Sequence, residues 1–342
     1  MSSTLLLNTT SRHRKKSIET AARLILKGKL IAFPTETVYG LGANVYDRKA
    51  VRRIFRVKGR PSDNPLIVHI WSLEQLSGLV GSIPVMFWVL ANKFMPGPLT
   101  VVMRKSKLVP REVAAGLDTV AIRMPDHPVA LELLKHAGVP IVAPSANLSG
   151  RPSPTAAHHV KEDLDGIPAI LDGGPCRIGI ESTVLDLTSK FPTILRPGGV
   201  TREELERVLR MRVRVARPTQ EKPLSPGMKY RHYSPKAEVI LFEGSLDRIL
   251  KAMKTMSHEL ALKKIRTGIM VEEKKKGILK GAEVFSLGKE SVESAARKIF
   301  DGFRTLDKKG VKVILCQGFP EEKLGHAVMN RLRKAATRRV RV

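Results

Sequence analysis

Short apolar runs that stop at small polar residues recur through the first part of the chain. Leu30-Ile31-Ala32-Phe33 passes into Pro34-Thr35-Glu36-Thr37-Val38-Tyr39-Gly40-Leu41-Gly42, and Val139-Pro140-Ile141-Val142-Ala143 into Pro144-Ser145-Ala146-Asn147-Leu148-Ser149-Gly150. Leu66 to Ile70 is entered from Lys58-Gly59-Arg60-Pro61-Ser62-Asp63-Asn64-Pro65. Runs of this length, punctuated by Gly and Pro, read as strands buried on both faces. Between them apolar residues return at helical spacing. Ile18, Ala21, Ala22, Leu24 and Ile25 form one stripe, with Ser17 as the expected cap and Gly28 as the stop; Ala50, Val51, Ile54 and Phe55 form another behind Asp47. Further helices are predicted over 72–79, 84–94 and 127–137, and strands over 99–103, 119–124, 169–171 and 182–187, with a strand end at Arg196. Thr201 with Glu204 three residues on is a capping box that closes this part. Polar loops immediately beyond buried strands are where open α/β sheets hold ligands.

A second pattern begins at Ala237. Strands are expected over 239–242, 267–271, 283–287 and 311–315, and helices over 246–256, 292–306 and 324–336, which is a small doubly wound α/β unit. The stretch between the two patterns is rich in proline, yet Met228-Lys229-Tyr230-Arg231-His232-Tyr233 packs in aromatic, cationic and imidazole groups that a plain spacer would not carry. The expected division is 1–215, a linker 216–236 and 237–342. A length of 342 residues suits two cores better than one.

Charge changes this picture more than composition does. Lys and Arg outnumber Asp and Glu by 60 to 32, so the chain carries +28 and attracts polyanions such as RNA, ATP or acidic partners. The last stretch, Arg331 to Val342, holds six basic residues and no acid. Only two cysteines, Cys176 and Cys316, occur far apart, which excludes a zinc ribbon and fits a reducing, cytoplasmic setting. No apolar run is long enough to span a bilayer, so a soluble protein is expected, with no membrane partner.

The candidate chemistry sits on the polar loops. Lys58 and Arg60, two apart in a segment taken as extended, point to one side and converge on an anion, with Asn64 and His69 as neutral donors or acceptors nearby. Ser145 and Asn147 share that spacing. Arg123 lies inside the apolar run Val120-Ala121-Ile122-Arg123-Met124 and needs an anionic partner, either a ligand carboxylate or a structural acid. There is no G-x-x-x-x-G-K-[ST] loop and no strand followed by G-x-G-x-x-G, so any nucleotide is held differently.

The motifs Pro34 to Gly42, Lys58-x-Arg60, Ser145-x-Asn147 and Arg196-Pro197-Gly198, with the Ser-Pro-Gly-Met-x-x-x-His-Tyr-Ser-Pro linker, resemble the long, two-domain form of the YrdC-like threonylcarbamoyl-AMP synthase family over essentially the whole chain. The resemblance implies a twisted-sheet domain around a concave basic cavity, a smaller Rossmann-like domain, and a linker that crosses the cavity. It implies a nucleotidyltransferase that makes threonylcarbamoyl-AMP and pyrophosphate from L-threonine, bicarbonate and ATP. The intermediate then feeds a separate threonylcarbamoyl transferase complex that modifies adenosine beside the anticodon of tRNA, and direct tRNA contact through the basic surface stays open.

By the same resemblance Lys58 and Arg60 are catalytic. Arg60, Asn64, Thr119, Ser145, Asn147, Ser153, Arg196 and Tyr233 serve ATP, and Thr37, His69, Arg123, Ala143 and Ser182 hold threonine. Mg²⁺ rides on the phosphates, since no carboxylate cage is legible. Two other classes compete. A pure RNA-binding module would use the charge without turnover, and a hydrogenase-maturation carbamoyltransferase would carry zinc-finger cysteines that this chain lacks.

Overall fold

The computed structural model describes residues 4–10, 12–164, 166–216, 233–273, 282–289 and 291–342. Most of the expected linker, including Tyr230, Arg231 and His232, lies outside the described residues. The chain divides into two compact units, Met1–Ser149 with Ser153–Arg177 and Glu181–Tyr230, and Gly150–Pro152 with Ile178–Ile180 and Arg231–Val342.

The first unit carries β1 (Leu5–Asn8), α1 (Arg14–Leu26), β2 (Ile31–Phe33), β3 (Gly40–Asn44), α2 (Arg48–Lys58), β4 (Ile67–His69), a 3₁₀ turn (Leu73–Gly78), α3 (Val85–Phe94), β5 (Leu99–Arg104) and β6 (Thr119–Arg123). It continues with α4 (Pro128–Ala137), β7 (Ile141–Val142), α5 (Ala157–Asp163), β8 (Ala169–Asp172), β9 (Thr183–Asp186), β10 (Thr193–Arg196), α6 (Arg202–Leu209) and β11 (Arg214–Val215). The strands form one mixed sheet of eleven, ordered β1-β8-β2-β3-β7-β4-β6-β5-β9-β10-β11.

Alternation along β2 covers both faces. Leu30 and Ala32 enter one core with Leu41, Ala43, Val68 and the α2 residues Ala50, Val51, Ile54 and Phe55. Ile31 and Phe33 enter the other with α1 and α4. The helix ends follow local chemistry. Asp47 accepts from the N–H groups of Lys49 and Ala50 at 2.9 and 3.0 Å, Gly59 closes α2 in the left-handed region (φ 58°), and Thr201 and Glu204 cap α6 reciprocally.

Three local expectations fail for physical reasons. Ser17 is not a cap: α1 starts three residues earlier, and the Ser17 hydroxyl donates to the Asn8 carbonyl at 2.7 Å, tying the helix to β1. Gly40 to Asn44 is a strand and not part of the loop. Its Gly42 exists for close packing, because a Cβ there would lie 2.8 Å from both Ile141 Cγ2 and Phe33 Cε1. Lys58 and Arg60 do not alternate along an extended segment, because Lys58 is the last residue of α2 and the chain turns left-handed between them.

The second unit carries β12 (Glu238–Glu243), α7 (Leu246–Leu262), β13 (Thr267–Val271), β14 (Glu283–Ser286), α8 (Val292–Lys308), β15 (Val313–Gln317), α9 (Gly325–Ala335) and β16 (Arg338–Arg341). All five strands run parallel in the order β14-β13-β15-β12-β16. Ile240 and Phe242 pack towards Ile249, Leu250 and Met253 of α7. Val239 and Leu241, pointing the other way, are buried as well. The basic end of the chain is therefore a strand, Arg338 to Arg341, paired with β12. No helix among the described residues is long and apolar enough to cross a membrane. Both cysteines are free and buried.

Candidate functional site

Register builds the site. His69 of β4 lies opposite Arg123 of β6, and Arg123 opposite Thr100 of β5, so three polar side chains make one row across the sheet. Two residues back on the same face, Ile67, Ala121 and Val102 form an apolar cluster with Val184 and Leu195. The row is thus a polar interruption in an apolar face, and all three members are buried. Thr119 shares the face with Ala121 and Arg123 by strand alternation. Beyond Thr100 the row continues through a hydroxyl contact of 2.8 Å to Ser182, which is fully buried immediately before β9. Arg196, ending β10, donates to the Ser182 carbonyl from Nε and Nη2 at 3.2 and 2.9 Å and to its hydroxyl at 3.2 Å.

Arg123 also finds its acid. Its Nη2 lies 2.7 Å from Oε1 of Glu36, in the loop that β2 delivers, with exposures of 5% and 1% for the two side chains. The contact is not aligned as a hydrogen bond: Glu36 Oε1 and Oε2 and Arg123 Nη2 all lack hydrogen-bond partners. Thr37 follows in the same loop, fully buried, with its hydroxyl 2.8 Å from that of Thr35. The His69 and Phe33 rings stand nearly perpendicular, 6.0 Å apart between centroids. Burial, helped by the Arg123 charge, pushes its pKa down to about 3, so the imidazole is neutral. Its Nδ1 is buried without a hydrogen-bond partner.

Lys58 organises the second group. Its ammonium donates to the carbonyls of Ser145 and Asn147, while the Ser149 N–H returns to the Lys58 carbonyl at 2.8 Å. The Ala146 N–H donates to Tyr39 O at 2.8 Å, and the Ala143 N–H donates to Ile67 O at 2.9 Å. The loops after β2, α2 and β7 are thereby drawn into one place. Arg60 donates from Nη2 to the carbonyls of Asn64 and Pro65 at 3.3 and 3.0 Å, which curls its loop around the guanidinium. Asn64 is buried with no partner for Oδ1. Ser153 donates to Glu181 Oε1 at 2.6 Å, next to Ser182.

Of the sequence-predicted residues, Thr37, Lys58, Arg60, Asn64, His69, Thr119, Arg123, Ala143, Ser145, Asn147, Ser153, Ser182 and Arg196 all belong to the first unit; Lys58 ends helix α2 and the others lie on polar loops and strand ends. Tyr233 belongs to the second unit, where its ring stacks on Phe300 at 5.2 Å between centroids and faces the Arg331 guanidinium at 5.6 Å. Sequence reasoning missed Thr100 and Glu181 and gave Glu36 no role. Thr100 carried a signal, a lone hydroxyl in Leu99-Thr100-Val101-Val102-Met103.

The fold and site define an α/β protein of the YrdC type: a mixed sheet with buried cations and hydroxyls at its strand ends. Residues 23–198 match the Sua5/YciO/YrdC family model, described as telomere recombination, and 200–337 match the threonylcarbamoyl-AMP synthase C-terminal domain. The chain is 51% identical to a threonylcarbamoyl-AMP synthase of Pyrococcus abyssi over 98% of its own length and 99% of the relative, and 48% identical to one of Bacillus subtilis over 94% of each. It superposes on the crystal structure of P. abyssi Sua5 complexed with L-threonine with a TM-score of 0.95, at 49% identity, over 99% of this chain and 100% of that one. The chain belongs to the threonylcarbamoyl-AMP synthase family.

Proposed function

We infer that this chain is an L-threonylcarbamoyladenylate synthase, which converts L-threonine, bicarbonate and ATP into threonylcarbamoyl-AMP, pyrophosphate and water. The observation that carries the reading is the row His69, Arg123, Thr100, Ser182, Arg196. Arg123 stands opposite Thr100, Thr100 meets the Ser182 hydroxyl and Ser182 accepts from Arg196, an arrangement of two buried arginines and intervening hydroxyls that supports holding a carboxylate and a phosphate side by side. Threonine nitrogen and CO2 form a carbamate, a carbamate oxygen attacks the α-phosphorus, and pyrophosphate leaves. The reaction then needs two anions held together and the developing charge neutralised more than it needs a base.

In this reading Arg123 pairs with the threonine carboxylate, while Thr37, His69, Ser182 and the backbone at Ala143 surround the rest of the amino acid. Arg196 and Arg60 face the phosphates. Lys58, through its bonds to Ser145 and Asn147, holds the nucleotide loop in shape. Asn64, Thr119 and Ser153 complete the nucleotide set. Of the two acids of the region, Glu36 lies against the Arg123 cation and Glu181 accepts from Ser153, so this donor set does not fit a protein-built Mg²⁺ cage. Mg²⁺ would arrive on the triphosphate. The product is an acyl phosphate anhydride. It serves a threonylcarbamoyl transferase acting on tRNA adenosine in the cytoplasm, and the +28 charge suits contact with that RNA.

Pyrophosphate release tests the reading, with threonine and bicarbonate omitted in turn. Release is expected only when both are present, because the nucleophile is their adduct. Equal release without threonine would remove the assignment.

A further inference from the structure

The contact between Glu36 and Arg123 is a poor structural ion pair. Taking both charges out of water costs several kcal/mol per ion, and a pair kept for stability recovers this through aligned, often bidentate hydrogen bonds. Here the ions touch at 2.7 Å, yet both Glu36 oxygens and Arg123 Nη2 lack a hydrogen-bond partner. Buried polar atoms in folded proteins are nearly always paired. A set of unpaired atoms containing both a carboxylate and a guanidinium marks a place completed by something that donates and accepts.

The neighbouring acids are already occupied. Asp172 accepts from the Gly174 N–H at 3.0 Å, and Glu181 accepts from Ser153 at 2.6 Å. The charge of Glu36 is felt around it: the Cys176 thiol is pushed up by burial and further by this carboxylate, and the His127 ring, pushed down by burial, is pulled back towards its protonated form by it. An α-amino acid carries an ammonium and a carboxylate on the same carbon. Docked against a Glu–Arg pair, it sets each charge beside its opposite and adds no net charge to the buried site.

We propose that Glu36 receives the α-ammonium group of the amino-acid substrate, so that the Glu36–Arg123 pair selects a zwitterion. This rests on the assignment of Arg123 to the threonine carboxylate. It makes Glu36 a specificity-determining residue that distinguishes an amino acid from the hydroxy acid of the same shape.

Calorimetry on the full chain tests it with two ligands, L-threonine and 2,3-dihydroxybutanoate, in which a hydroxyl replaces the amine. The unsubstituted protein is expected to prefer threonine. Glu36→Gln should weaken threonine about ten- to a hundredfold, the scale of one charge-assisted hydrogen bond, while leaving the hydroxy acid within about threefold and ATP binding unchanged. Glu36→Asp, which keeps the charge, should retain much of the preference. Equal weakening of both ligands would reduce Glu36 to a counter-ion for Arg123 and overturn the proposal. So would unchanged threonine binding in Glu36→Gln. If that variant does not fold, the unsubstituted protein still decides, since equal affinity for the two ligands excludes recognition of the ammonium. Absence of threonine binding by the unsubstituted protein would instead bring down the activity itself.

Discussion

Glu36 in the first unit and Glu243 in the second are both acids set against arginine, and they are finished differently. Both oxygens of Glu243 are used: Oε2 accepts from Arg333 Nε and Nη2 at 3.1 and 2.5 Å, and Oε1 accepts from Arg339 Nε at 2.6 Å. Arg333 also reaches Glu321 at 2.7 Å. Glu36 is more deeply buried, where a hydrogen bond is worth more, and it makes none. Internal satisfaction marks the Glu243 network as structural. On the proposal made above, the incomplete pair in the first unit is instead completed by a ligand. Truncating arginine to alanine in each region tests this contrast.

The largest effect is expected at Arg60. Arg60→Ala removes a cation assigned to the phosphates and should lower kcat roughly a hundred- to a thousandfold, read as pyrophosphate release at saturating substrates. A folded variant with an unchanged rate would mean that Arg60, like Arg333, only braces its own loop through Asn64 and Pro65.

Arg123→Ala should raise the threonine KM by about a hundredfold while moving the ATP KM by only a few-fold. It also leaves Glu36 buried and uncompensated, so thermal unfolding should report a loss of about 3–5 kcal/mol. If the ATP requirement rose more than the threonine requirement, the roles of Arg123 and Arg196 would be exchanged.

These side chains were unequally legible in the sequence, and the reasons are physical. Asp47, Thr201 and Glu204 act within one helical turn, so their spacing alone discloses the caps. The buried strands were visible because both faces demand apolar residues. Strand β1 was not, since Leu5 and Leu6 are about half exposed and its pairing with Ala169 to Asp172 joins distant segments. Strand β16 was hidden by its arginines. The site divided in the same way: polar loops beyond strand ends announced themselves, but the acid beside Arg123 is set by how the β2 loop meets β6, which spacing does not encode. The Lys58 and Arg60 alternation failed because the capping glycine places them on different elements.

Arg333→Ala probes the satisfied network and should act on stability alone. A loss of about 1–3 kcal/mol is expected in denaturant unfolding, with the threonine and ATP requirements unchanged. Burial by itself would raise the pKa of Glu243, but hydrogen bonds from Arg333 and Arg339 outweigh it and hold the group at about 2. Because the folded pKa is depressed, this contribution is present above about pH 4.5, the ordinary value, and is lost as pH falls towards 2. Glu243→Gln should therefore flatten the loss of stability across that window. A parallel rise in the threonine KM would show that the two regions are not separable.

The smallest effect is a predicted absence. Burial, with the Arg123 charge second, holds His69 at about 3 against an ordinary 6.5, so the folded protein leaves it neutral from pH 8 to 5. Its imidazole resonances should not move over that range. Threonine affinity should show no inflection from this residue, whereas an exposed histidine would titrate there. The linkage runs the other way from a paired histidine: between pH 6.5 and 3 the unfolded chain takes up a proton that the folded chain refuses, so this group costs stability as pH falls through that window. His69→Gln keeps a neutral polar side chain and should remove that acid sensitivity while changing threonine affinity by only a few-fold. An imidazole found to titrate near 6.5 in the folded protein would mean that water reaches the row. The incomplete Glu36–Arg123 pair would then be solvated, and the contrast with Glu243 would fail at its root.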